Sequence, residues 1–175
     1  MLNLMQFFRY LLVSLFLFTS AIANEKSNLR FIDLEFIFQN SVVGKKISKR
    51  AISSRNSENE KNNKTEKKLE KQKNDILSKK NLLEKKEFDE MVISHQKEVQ
   101  DYQLKKNKKI KDLTQENIKL TKNFMKKVDK VLLKYASDNK IDLILNKNTL
   151  IVSNSSLDIT SDILKIVDKE ITKID

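Results

Sequence analysis

GKKISKRAISSRNSENEKNNKTEKKLEKQKNDILSKK, residues 44–80, opens a lysine-rich stretch that continues to about residue 138 with nothing in it that should end a helix. The chain has no proline, and its single glycine, Gly44, stands where the stretch begins. Gly and Pro are the residues that cost most inside a helix, so the composition predicts helix along the whole length. The first part is unusually polar: after Ile47, Ala51 and Ile52, residues 53–68 (SSRNSENEKNNKTEKK) offer no apolar side chain to bury. Farther on, Leu69, Ile76 and Leu83 recur every seven residues, as a helix seam does. A turn near 81–86 lets the chain reverse. Phe88, Val92, His95, Val99 and Tyr102 then follow in alternating steps of four and three, and Ile110, Leu113, Leu120, Phe124, Val128, Val131 and Tyr135 continue the stripe. Folded back to back, the helices bring Ile76 near Val92 and Leu69 near Val99, an antiparallel hairpin. His95 falls on that seam and reads as interface packing rather than as a ligand.

The flanks carry the strand signals. Residues 29–32 (LRFI) read as a short strand, and Asp33 caps a short helix over 34–40 to which Phe36, Ile37 and Phe38 give aromatic and aliphatic bulk. Beyond residue 139, residues 141–145 (IDLIL) and 149–152 (TLIV) read as two strands joined by an Asn-Lys-Asn turn. Thr160 is the expected N-cap of a last amphipathic helix carrying Ile163, Leu164, Ile166, Val167 and Ile171. The fold class expected is therefore α+β and mainly helical: a small β-rich body from residues 24–44 and 136–175, and a long antiparallel helical hairpin arm from residues 45–135. A body of about 60–70 residues is marginal by itself. It has no cysteine for a disulfide staple, and its short strands leave open edges, so symmetric association is the economical remedy. Phe31, Phe36, Phe38, Leu143, Leu145 and Ile151 are the residues expected at the joint between copies.

Residues 1–23 read as a cleaved export signal. Arg9 supplies the positive n-region, 11–18 (LLVSLFLF) is the apolar run, and Ala21-Ile22-Ala23 gives the small-x-small cleavage pattern. An uncleaved anchor is the weaker reading, because the apolar run is short for a bilayer span of about 20 residues. Losing Arg9 takes the formal charge from +11 to +10. Lysine supplies nearly all of that charge. Lysine is a flexible point charge and arginine the residue of bidentate phosphate recognition, so the balance points to anionic surfaces or acidic clients and away from nucleic acid. One glycine forbids the glycine-rich nucleotide loops, and one histidine without cysteine leaves no zinc cluster. Ser94 and His95 are adjacent and do not face one another on a helix. Neither an enzyme nor a cofactor is expected.

The signal segment, the F-I-D-L of residues 31–34, the I-F-Q-N-S of 37–41 and the Gly44-Lys45 that opens a charged hairpin together resemble the Skp/OmpH family of periplasmic chaperones. The match is closer at the other end: V-L-L-K-Y-A (131–136), I-D-L-I-L (141–145) and S-L-D-I-T-S-D-I-L (156–164). The polar run 53–68 departs from the pattern, since a stronger seam is expected there. The resemblance implies a homotrimer with a jointly built β-barrel body and three arms around a cavity, working in the periplasm as an ATP-independent holdase for unfolded outer-membrane proteins. Lys79, Lys80, Lys85 and Lys86 at the tip read first as a solvated end, and in that setting as the charge that attracts clients. Ile110 and Leu113 face the polar run and lack partners in the hairpin, which leaves two readings: they contact clients, or neighbouring lysine stems cover them. An exported coiled coil that spaces envelope layers explains the arm but not the matching ends. A polyanion binder, of nucleic acid or of anionic membrane lipid, explains only the charge, although lipid contact stays open for the chaperone reading too.

Overall fold

Strand β1 (Leu29–Ile32) pairs with strand β2 (Leu143–Asn146) in parallel, with Leu29 beside Leu143 and Phe31 beside Leu145. Parallel neighbours need a long crossover, and here the crossover is nearly the whole chain. The computed structural model describes residues 27–173, and the expected export signal lies outside the described residues. After β1, Asp33 accepts the Phe36 amide at 2.8 Å and starts helix α1 (Leu34–Asn40). Ser41 then caps helix α2 (Val42–Ser78), its hydroxyl accepting the Gly44 amide at 3.1 Å. A turn over 79–84 leads into helix α3 (Lys85–Asp138), which returns to the body, and helix α4 (Thr160–Glu170) closes the described chain. The mainly helical α+β architecture expected from the sequence is the one observed.

The glycine sits at the tightest point of this path. A Cβ on Gly44 would overlap the Phe38 carbonyl oxygen and stand 2.8 Å from the Ser41 hydroxyl oxygen. Only a residue without a side chain lets α2 leave α1 so closely.

One core ties five elements together. It holds Ile32 of β1, Ile37 of α1, Val43 and Ile47 of α2, Phe124, Val128 and Val131 of α3, and Ile163 and Val167 of α4, with Ile159 and Ile171 at the ends of α4. Phe38 meets Phe124 edge-on at 5.7 Å between ring centres. The core runs across the expected boundaries at 44/45 and 135/136. The difference in helix length explains how: α3 has 54 residues and α2 has 37, and the surplus of α3 plunges into the body.

Two local expectations are corrected. The hairpin over 141–152 does not form, because β2 takes β1 as its partner and residues 147–149 close a 3₁₀ turn instead. Local bonds capture that backbone: the Asn146 side chain accepts the Asn148 amide at 3.2 Å, and the Thr149 hydroxyl donates to the Asn146 carbonyl at 2.7 Å. Such short polar side chains compete with strand ladders. Thr160 does not cap α4 but begins it, with Asp158 accepting its amide at 2.8 Å. Its hydroxyl instead accepts the Asp33 amide at 2.9 Å, so it stitches the two ends of the chain together.

Candidate functional site

The net positive charge of the described residues sits in the arm. Residues 42–138 hold 27 Lys and Arg against 15 Asp and Glu, whereas 27–41 and 139–173 together hold six against seven. A neutral body therefore carries a basic projection, and that projection is built in three zones.

At the root, α2 and α3 leave between them a cleft of about 650 Å³ whose apolar lining is Ile47, Ala51, Ile52, Ile110, Leu113 and Leu120. The cause is in the sequence. Opposite Ile110 and Leu113 stand Ser54, Glu58 and Asn59, which are too small or too polar to fill the gap. Ile110 is 48% exposed and Leu113 is partly buried. An ion pair from Arg50 to Glu116 bounds the cleft.

In the middle of the arm a polar contact replaces apolar packing. Glu66 accepts from the Tyr102 hydroxyl and from the Lys106 ammonium, each at 2.7 Å, beside the buried Asn62. The Lys106 bond, with help from Tyr102, holds the Glu66 carboxyl below its ordinary value. Desolvation, then Glu66, pushes the Tyr102 phenol up, and the bond to Glu66 raises Lys106. One turn farther out, Leu69 is buried and the Gln72 amide donates to Glu98 at 3.1 Å. These partners reproduce the expected register. His95 lies on the seam as expected, where its Nδ1 and the Gln72 Oε1 are buried without hydrogen-bond partners, a weak point in the zipper.

The tip is the turn over 79–84, held by the Lys79 and Lys80 amides donating to the Ile76 and Leu77 carbonyls. Lys79, Lys80, Lys85 and Lys86 are all exposed around it, and Leu82 stands 81% exposed among them. Among the described residues no cluster of side chains could hold a metal ion, and no helix is long and apolar enough to cross a membrane.

A family model described as outer membrane protein (OmpH-like) matches residues 28–167. The chain belongs to this OmpH-like family. Its fold is similar to the crystal structure of an OmpH-like protein from Caulobacter crescentus, provisionally described as an outer membrane chaperone. The TM-score is 0.79 at 15% identity, covering 85% of this chain and 88% of that one. No curated protein matches the chain in sequence.

Within this OmpH-like fold the residues expected at a joint between copies separate into two groups. Phe31 is buried at 4% exposure and Phe38 packs on the core, so both serve the chain's own interior. Phe36, Leu143 and Ile151 are exposed at 44%, 48% and 101%, and Leu145 is partly buried. The six residues expected to meet clients likewise lie in two places, four lysines at the tip and Ile110 with Leu113 at the root. Sequence reading missed four further exposed apolar residues on α3: Ile93, Leu104, Ile118 and Leu133. They recur every 11 to 15 residues, too sparsely for the three- and four-residue recurrence by which helix faces are recognised.

Proposed function

We propose that this OmpH-like protein is an ATP-independent periplasmic holdase that keeps unfolded outer-membrane proteins from aggregating. In this reading residues 1–23 are removed on export, and residues 24–44 and 136–175 form the oligomerisation body. Three copies meet through Phe36, Leu143, Leu145 and Ile151, and their 45–135 hairpins surround the client. The observation that carries the reading is the arm itself, basic along its length yet left with an unfilled apolar cleft at its root. A pure spacer would gain from a closed seam. A holdase needs apolar surface that a client can reach, with charge to draw the client in. The adjacent Ile151 and Val152 support association, since both apolar side chains otherwise stand in water.

The test is an unfolded outer-membrane β-barrel protein diluted from denaturant and followed by light scattering, with sedimentation equilibrium giving the stoichiometry. A trimer that suppresses scattering is expected. Reversing Lys79, Lys80, Lys85 and Lys86 to glutamate should slow association about tenfold at low salt, and less above physiological ionic strength, where charges are screened within about 8 Å. Replacing Ile110 and Leu113 with serine should raise the client off-rate several-fold and leave the on-rate nearly unchanged. Scattering that rises as fast with the protein in excess as without it would sink the holdase reading and favour the spacer.

A further inference from the structure

Helix α3 exposes five large apolar residues, and four of them share one line. From Ile93 to Leu104 is 11 residues, from Leu104 to Ile118 is 14, and from Ile118 to Leu133 is 15. At 3.6 residues per turn these are about three, four and four whole turns, so the four side chains project from the same face. Their exposures are 64%, 63%, 60% and 72%. That face is the one turned away from α2. Leu104 lies two positions from Tyr102 and from Lys106, both bonded to Glu66 of α2, and Ile118 lies two positions from Glu116, paired with Arg50, and from Leu120, packed against the core. Two positions are about 200° around a helix. Four residues after each of the first three comes an exposed lysine, at Lys97, Lys108 and Lys122, one turn along the same face. Lys108 reaches Asp112 at 3.4 Å, and Lys97 and Lys122 make no ion pair among the described residues.

We infer that this outer face of α3 grips one strand-length segment of an unfolded, acidic client, at three repeated sites made of an apolar side chain and a lysine: Ile93 with Lys97, Leu104 with Lys108, and Ile118 with Lys122. The inference rests on the holdase reading and adds a contact surface to it. The spacing selects the occupant. A partner helix needs about two apolar residues per seven, and this line gives one in 11 to 15. A membrane surface asks for a continuous apolar face with its lysines on the opposite side, and here the lysines stand in the same line. An extended chain fits better. Ile93 and Ile118 are about 38 Å apart along the helix, which is about 11 residues of extended backbone. A transmembrane β-strand has about 9–11 residues. Its alternating side chains can meet the sparse anchors in any register, so the grip tolerates many sequences. Leu133 continues the line at the body, where adjoining copies meet in the proposed trimer, and is left out of the test.

The experiment uses the full chain with Ile93, Leu104 and Ile118 all replaced by glutamine, a good helix former. Circular dichroism and sedimentation should match the parent. The off-rate of a captured outer-membrane β-barrel protein should rise at least about tenfold, from three weak anchors lost together, with the on-rate changed less than about twofold. A photo-crosslinker at Leu104 should attach to the client. If the parent holds its client and the triple variant holds it equally long, the grip is overturned and the holdase reading stands. If the variant changes the oligomeric state, the face is a joint between copies. If it loses only binding to anionic vesicles, the face is a membrane contact. Either result overturns the grip. If the parent holds no client at all, both readings fall.

Discussion

In the body, eleven apolar side chains from five elements close on one another, and Ile37, Phe124, Val128, Ile163 and Val167 lose all contact with water. In the arm the two helices run side by side over a far greater length, yet α3 buries no residue between 85 and 123, and α2 buries only Asn62, Leu69 and Ile76 beyond Ile47. The body is nearly neutral and the arm carries the charge. The buried core is thus built from the two ends of the chain, and the charge is carried by its middle. Apolar burial at about 25 cal/mol per Å² anchors the body, while the arm has only the buried Leu69 and Ile76 and exposed ion pairs of little worth. An arm held so lightly can open locally without dragging the core apart, which is the behaviour expected of the low-stability end of a protein.

The contrast breaks most severely at Phe124, the largest fully buried side chain and the one where the root of the arm enters the core. Phe124→Ala should cost about 3–5 kcal/mol, read from urea unfolding. The same truncation at Leu69, out in the arm, should cost distinctly less, because its surroundings can collapse or hydrate. Equal losses at the two sites would mean that body and arm form one cooperative unit. Gly44→Ala probes the hinge between them. With the Phe38 carbonyl in the way, a shift costing about 1–3 kcal/mol is expected, visible as a lower melting temperature. The smallest effect lies in mid-arm. Glu66 is the acceptor of both polar bonds there, and its carboxyl sits below its ordinary value, so its contribution is complete above pH 4.5 and fades as pH falls through the lowered value. Glu66→Gln at neutral pH, or the parent in acid, should speed amide exchange over 62–72 and 98–106 while leaving 124–131 protected.

Much of this architecture was legible because it rests on local rules. The strand at 29–32, the Asp33 cap, the reversal near residue 81 and the pairing of Leu69 and Ile76 with the returning helix all follow from spacing or from one capping side chain. The segment 146–157 was not legible as it stands. Its Leu-Ile-Val run signals a strand, but Asn146 and Asn154 each accept an amide two residues on and fold the backbone into 3₁₀ turns. Thr160 reads locally as the cap of the last helix, but the amide its hydroxyl accepts is that of Asp33, 127 residues away. For the site, the missing partners of Ile110 and Leu113 could be read from the polar run, and they do line a cleft. The outer line of α3 could not, because a repeat of three or four turns becomes visible only when the seam on the opposite side is known.

The parallel pairing of β1 with β2 also sets an order of events. During synthesis β1 is made first, and its partner strand begins 111 residues later, at Leu143. Until then that edge has nothing to pair with, whereas α2 and α3 need only a six-residue turn to find each other. Once they zip, the chain separating the two strands shrinks to roughly a quarter of its length, which at about 0.6 kcal/mol per doubling removes on the order of 1 kcal/mol of closure entropy. The arm that later reaches outward is therefore first the splint on which the two ends of the chain are brought into register.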